Sequence, residues 1–192
     1  MALDRRQAVA RLLQGRDDTL LVVTGLGSAT YDVAAAGDDP RNFYLWGAMG
    51  GCVLLALGLA LAQPDRSVLA ITGDGEMLMG LGGLATVGAQ APDNLAIVVL
   101  DNARYGETGM QESHTALGVD LCSLAKGCGI PRIRDLDRAE DLAALAAELS
   151  TRTGTLFARL RIAADDAPRV LPSRDGVFLK TRFRQAVGCS GP

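Results

Sequence analysis

Two apolar runs of this chain end in residues that belong to turns. Ser67-Val68-Leu69-Ala70-Ile71-Thr72 runs into Gly73-Asp74-Gly75-Glu76, and Leu95 to Leu100 runs into Asp101-Asn102. A third run, Thr19 to Thr24, ends in Gly25-Leu26-Gly27-Ser28. Continuous apolar runs of this length are the mark of strands buried on both faces. Strand, turn, helix and strand in alternation predict an α/β fold: a doubly wound, mostly parallel sheet with helices on both faces. In such sheets ligands bind outside the carboxyl ends of the strands. The three turns are therefore expected along one edge.

The remaining segments fit that alternation. Leu3 to Leu13 has the apolar spacing of an amphipathic helix. Ser28 is placed to N-cap a helix running to about Ala36. Asn42 to Leu45 predicts a short strand. Met49 to Ala62 predicts an apolar helix, stopped by Pro64. Met77 to Gln90 predicts one helix, closed by Ala91-Pro92-Asp93. Helices are also expected over Val119 to Cys128, Arg138 to Ser150 and Val177 to Val187. Strands are expected over Ile130 to Ile133 and Thr155 to Ile162. Asn102 to Gly118 is polar, dotted with glycine and too long for a simple connection, which is usual for functional loops. Asp165 to Asp175 looks like a linker.

Composition narrows the classes. The 192 residues suffice for one domain, spanning 1–192, with a substantial core. A net charge of -3 gives no basic field for nucleic acid or an anionic membrane. The longest apolar stretch, Gly47 to Ala62, is short for a membrane span. Cys52, Cys122, Cys128 and Cys189 show no metal-binding spacing, so reduced thiols in a cytoplasmic protein are expected. The first 16 residues mix charge with apolar groups and do not form a secretion signal.

The chemistry lies in the turns. If the strands ending at Gly73 and Asp101 are neighbours, Asp74 and Asn102 share one small volume. A carboxylate, an amide oxygen and a main-chain carbonyl suit magnesium, which takes its remaining oxygens from phosphate or water. Gly73 and Gly75 let the backbone approach closely, and free amides at the following helix start favour a phosphate. Taken alone, Asp74 is equally a helix cap and Asn102 a turn residue. Their pairing at this spacing points to a clamp for a divalent cation and a diphosphate.

Gly73-Asp74-Gly75, the 26 residues Glu76 through Asp101, then Asn102 resemble the cofactor signature of thiamine diphosphate enzymes. Asp101 departs from the commoner first asparagine of that signature. The resemblance implies that Asp74, Asn102 and the Arg104 carbonyl hold Mg2+, with Gly73, Gly75, Glu76, Tyr105 and Gly106 in the cofactor site. It implies that Met49 supports the cofactor in its bent shape and that the Gly47 carbonyl accepts from its 4'-amino group. It also makes Thr24, Gly25, Gly27 and Ser28 a second diphosphate-contacting turn. Within the family the chain looks like the sulfopyruvate and phosphonopyruvate decarboxylases. It shares with them the Arg41 to Gly50 run, the Tyr105 to Gly109 loop and the Leu171 to Gly176 tail.

Such enzymes need a second domain that binds the aminopyrimidine and supplies an activating glutamate. This chain has no room for it. The resemblance therefore implies a β subunit of a hetero-oligomer, with an α subunit completing the site, acting on a small anionic 2-oxo acid to give an aldehyde and CO2. The Tyr105 to Leu117 loop should lie over the cofactor. It carries Glu107 and the only histidine, His114, as candidate catalytic groups, because an imidazole can supply a proton near pH 7. Three alternatives stay open: a carboligase like a split acetolactate synthase, a cofactor-binding assembly subunit without catalysis, and a nucleotide-binding domain. Against the last, Gly25-Leu26-Gly27 lacks the expected third glycine.

Overall fold

The computed structural model describes residues 2–189. Six strands form one sheet: β1 (Leu21–Thr24), β2 (Asn42–Tyr44), β3 (Val68–Gly73), β4 (Leu95–Asp101), β7 (Arg132–Leu136) and β8 (Leu156–Arg161). Their order is β2-β1-β3-β4-β8-β7, and every pairing is parallel. The remaining two, β5 (Arg104–Tyr105) and β6 (Gln111–Glu112), form a small antiparallel hairpin. The helices are α1 (Arg5–Leu13), α2 (Ser28–Ala36), α3 (Cys52–Ala62), α4 (Asp74–Met79), α5 (Gly82–Gln90), α6 (Leu121–Gly127), α7 (Leu142–Glu148) and α8 (Gly176–Ala186).

Parallel strands covered on both faces bury every side chain, and β1 and β4 do so over their whole length. Alternate residues feed two cores. Val22, Ile71, Val98 and Leu160 pack with α1, α2 and α7. Val23, Ala70, Ile97 and Phe157 pack with α3, α5 and α6. The connection leaving β1 thus covers one face and the connection leaving β3 covers the other. Between these adjacent strands the winding reverses, which opens a crevice at their carboxyl ends. Register Gly73↔Leu100 brings the two informative turns side by side.

Several boundaries differ from the sequence expectation. The helix expected over Met77 to Gln90 is two helices and begins at Asp74. It breaks at Gly80, where a Cβ would overlap the Gly50 carbonyl oxygen. The helix expected from Met49 begins at Cys52, because Gly47 (φ 72°) and Gly50 (φ 88°) take left-handed conformations that make residues 47–51 a turn. Gly27, not Ser28, occupies the N-cap of α2. Ser28 is its first residue, and the Thr30 hydroxyl donates to the Gly25 carbonyl at 2.7 Å. The seventh helix is shortened to α7 by a preceding 3-10 turn at Ala139–Asp141.

The stretch expected as a linker is a strap. Arg6 Nη2 donates to the Pro168 carbonyl at 2.6 Å, and Trp46 Nε1 donates to the Ser173 carbonyl at 2.9 Å. Among the described residues no helix is long and apolar enough to cross a membrane.

Candidate functional site

A cleft opens at the carboxyl ends of β1, β3 and β4. Its walls include Leu26, Ser28, Met49, Asp74, Asn102 and Tyr105. The turn after β3 sets its floor. Gly73 is extended and acts as N-cap, so Asp74 and Glu76 both fall in the first turn of α4, where carboxylates complement the helix dipole. A Cβ at Gly73 would meet nothing within 4 Å, leaving open space above the backbone.

Asp74 is 2% exposed. Its Oδ2 accepts from Ser113 Oγ at 2.5 Å and from Thr115 Oγ1 at 3.3 Å. Burial pushes its carboxyl above the ordinary value, the Ser113 bond opposes this, and the nearby Asp101 charge adds to the rise. Oδ1 accepts no side-chain hydrogen bond among the described residues. Asn102 lines the same cleft, and its Oδ1 accepts from the Arg104 amide at 3.0 Å, closing an Asx turn. That turn fixes the direction of the amide oxygen. The positive φ of Ala103 (58°) follows from it. Asp101 Oδ1 accepts from the Ala103 amide at 3.0 Å and Thr115 Oγ1 at 2.8 Å, so the departure from asparagine serves as a loop anchor.

Glu76 is 5% exposed and braces two turns against the end of β3. Its Oε2 accepts from the Leu26 amide at 3.0 Å and Thr72 Oγ1 at 2.9 Å, and Oε1 accepts from the Gly50 amide at 3.3 Å. Burial raises its carboxyl, and the Thr72, Gly50 and Leu26 bonds counter that rise. A Cβ at Gly25 would overlap this carboxylate, which explains the glycine. Thr24 does not face the cleft: it is fully buried, with its hydroxyl 2.6 Å from that of Thr30. Gly25, Gly27 and Ser28 deliver the start of α2, whose first amides have no partner within the helix.

The loop after β4 folds over the cleft. Tyr105, Gly106, Glu107 and Thr108 line it, and a Cβ at Gly75 would overlap the Tyr105 ring. Glu107 lies across Gly27, where a Cβ would come within 2.8 Å of Glu107 Cγ. Its carboxylate pairs with Arg169 of the strap at 3.2 Å. His114 is exposed, and it does not line the cleft. Its Nδ1 sits 3.3 Å from the Tyr105 hydroxyl, so the phenol stands between imidazole and cleft. Arg104 also lines the cleft, and its guanidinium pairs with Glu112 at 3.2 Å.

Three residues of this site escaped the sequence reading. Ser113 and Thr115 reach Asp74 across 39 and 41 positions, and nothing in their local sequence signals that contact. Arg5 lines the cleft as well. It had a signal: helical spacing puts it on the buried face of α1 with Ala8, Val9 and Leu12.

The donors suit a magnesium diphosphate. Asp74 and Asn102 offer oxygen ligands, and the first turns of α2 and α4 offer amides. No three His, Cys, Asp or Glu side chains among the described residues form a metal site alone. A hard cation here would complete its shell with phosphate and water oxygens, which is how magnesium is usually held.

A doubly wound domain with these turns at its switch point defines a thiamine diphosphate-binding module. Residues 25–158 match the model of the thiamine pyrophosphate enzyme C-terminal TPP binding domain, and the chain belongs to that family. It is 36% identical to the sulfopyruvate decarboxylase subunit beta of Methanothermobacter thermautotrophicus, over 97% of both chains. It is 40% identical to the phosphonopyruvate decarboxylase of Streptomyces viridochromogenes over 79% of its own length, but spans only 38% of that protein. The solved structure of benzoylformate decarboxylase from Polynucleobacter necessarius superposes with a TM-score of 0.72 at 19% identity. That likeness covers 88% of this chain and 34% of the other, and shows the fold.

Proposed function

We propose that this chain is the cofactor-binding subunit of a thiamine diphosphate- and magnesium-dependent decarboxylase acting on a small anionic 2-oxo acid, sulfopyruvate first and phosphonopyruvate second. The observation that carries the reading is the Asp74–Asn102 pair. One oxygen of Asp74 is tied back by Ser113 and Thr115, and the other accepts no side-chain hydrogen bond among the described residues, in a cleft that Asn102 also lines and two helix starts feed. The names of the relatives supply the substrate class.

In this reading Asp74, Asn102 and the Arg104 carbonyl hold Mg2+, and the amides of Gly27, Ser28 and Gly75 hold the diphosphate. Met49 supports the organic part of the cofactor. When bound, the thiazolium ring accepts the electron pair left as carbon dioxide departs. Tyr105 and His114 hold a proton in a two-member relay at the cleft mouth, the phenol facing inward and the imidazole facing solvent. Glu107 and Tyr105 exclude water from above.

Two parts of the active site are assigned to a partner: the pyrimidine pocket and the glutamate that activates the cofactor. Met49 is 37% exposed, so the wall it forms is covered from one side only. An α subunit carrying the second domain would close it, making a hetero-oligomer. All four cysteines are free thiols, consistent with a cytoplasmic protein.

The test is reconstitution. The chain is co-expressed with a candidate partner, and carbon dioxide release is measured with sulfopyruvate, phosphonopyruvate and pyruvate. The reading expects release only from the joined chains, with the anionic substrates preferred. Release from pyruvate but not from the anionic substrates would overturn the substrate class, and a new carbon–carbon bond whenever an aldehyde is supplied would replace the reading with a carboligase.

A further inference from the structure

Arg5 stands at the start of α1, 4% exposed, on the wall of the cleft. Among the described residues its guanidinium makes no hydrogen bond. Nε lies 3.3 Å from Asp32 Oδ2 and 3.9 Å from Asp165 Oδ1, yet both Nε and Asp32 Oδ2 are buried without a hydrogen-bond partner. Asp32 is instead bonded through Oδ1 to Arg6 Nε at 3.1 Å. Arg5 therefore has two carboxylates within 3.9 Å of Nε and no hydrogen bond on any guanidinium nitrogen among the described residues. A guanidinium carries five donors, and burying them unpaired is costly unless a ligand supplies acceptors.

Its position says which ligand. Leu100 lies in the core that α1 and α2 cover and lines the cleft with Arg5, Ser28, Ala29 and Asn102. Arg5 and the first turn of α2 therefore stand on the α1–α2 side of the cleft. Met49 lies on the other, in the turn packed against Gly80 between α4 and α5. A cofactor whose organic part rests on Met49 and whose metal rests on Asp74 and Asn102 directs its outer phosphate toward Arg5. Magnesium leaves net negative charge on a diphosphate, and a planar guanidinium is suited to two of its oxygens at once.

We infer that Arg5 binds the terminal phosphate of thiamine diphosphate, with Asp32 as its counter-ion. This rests on the cofactor reading above. The experiment titrates the full-length chain calorimetrically, at saturating magnesium, with thiamine diphosphate, thiamine monophosphate and sulfopyruvate. Wild type, Arg5→Gln and Arg5→Lys are compared, with thermal unfolding as the check on fold. Arg5→Gln is expected to weaken thiamine diphosphate about ten- to hundredfold and the monophosphate less than about threefold.

Arg5→Lys is expected to keep part of the preference for the diphosphate, since it restores charge without the fork. It carries the test if Arg5→Gln fails to fold: a diphosphate preference in Arg5→Lys equal to wild type overturns the assignment. Equal weakening of both phosphates, or none, overturns it too, and weakening of sulfopyruvate alone moves Arg5 to the substrate's anionic group. A wild-type chain that binds no thiamine diphosphate sinks the cofactor reading itself. Wild-type binding with an unchanged Arg5→Gln sinks only the arginine.

Discussion

Ser113 holds Asp74 in place by a 2.5 Å hydrogen bond in the buried floor of the cleft. Removing that hydroxyl leaves one oxygen of a buried carboxylate with only the longer Thr115 contact. Ser113→Ala is expected to lose about 1–3 kcal/mol of stability, the usual penalty for a buried polar group deprived of its partner. Urea unfolding checks it. Cofactor affinity should fall with it, because Asp74 is freed from its bonded orientation. A second prediction concerns the loop. His114→Ala should lower turnover of the reconstituted enzyme while thiamine diphosphate affinity stays within about twofold, since the imidazole reaches the cleft only through Tyr105. An equal fall in both would make His114 a binding residue.

At this scale the sequence was legible where chemistry depends on the end of a strand. Asp74 and Asn102 could be paired because two apolar runs placed them. Ser113 and Thr115 could not, because a contact returning across a hairpin leaves no local pattern. Glu76 could be located but not its role: its three hydrogen bonds come from two separate turns and from the end of β3.

The breaks between elements matter as much as the elements. Gly80 interrupts a helix that the apolar pattern alone would continue, because the Gly50 carbonyl occupies the space of a side chain. Gly80→Ala is expected to push residues 47–51 outward. It should cost about 1–3 kcal/mol of stability, as overpacking usually does, and weaken cofactor binding through Met49. A crystal structure or calorimetry of the variant checks this.

The sheet edge was harder to read than its centre. β7 is Arg-Ile-Arg-Asp-Leu, a half-buried edge strand, so the continuous apolar run that marked β3 and β4 is absent. It is pinned instead by Asp135, which accepts from Arg159 Nη2 at 2.5 Å and Arg161 Nη2 at 2.8 Å. Burial raises the Asp135 carboxyl, but the two guanidinium groups outweigh it and hold it well below the usual carboxylate range. A depressed folded value means stability present above the unfolded value of about 3.9. That stability is lost as the pH falls through the lower folded value. Asp135→Asn should therefore flatten the acid side of the stability curve below about pH 4. An unchanged slope would mean that the two ion pairs contribute nothing.

For the molecule as a whole, the fold follows from reversing the winding between β1 and β3. A doubly wound sheet was legible, because strands and helices alternate along the chain, but the strand order that puts the reversal between β1 and β3 was not. The strap over residues 163–175 was not either, because its order comes from Arg6, Trp46 and Glu107 reaching it from elsewhere. The cleft brings Asp74, Asn102 and two helix starts together under a loop, beside a methionine that stays partly exposed. Holding the cofactor is what we propose for this chain, and activating it is what we propose for a partner.

The most direct test is calorimetric titration of thiamine diphosphate into the purified chain, with magnesium and with a chelator, for wild type and Asp74→Ala. The account predicts magnesium-dependent binding by wild type, abolished in Asp74→Ala, with no carbon dioxide released from sulfopyruvate. Binding that ignores both magnesium and Asp74 would contradict it.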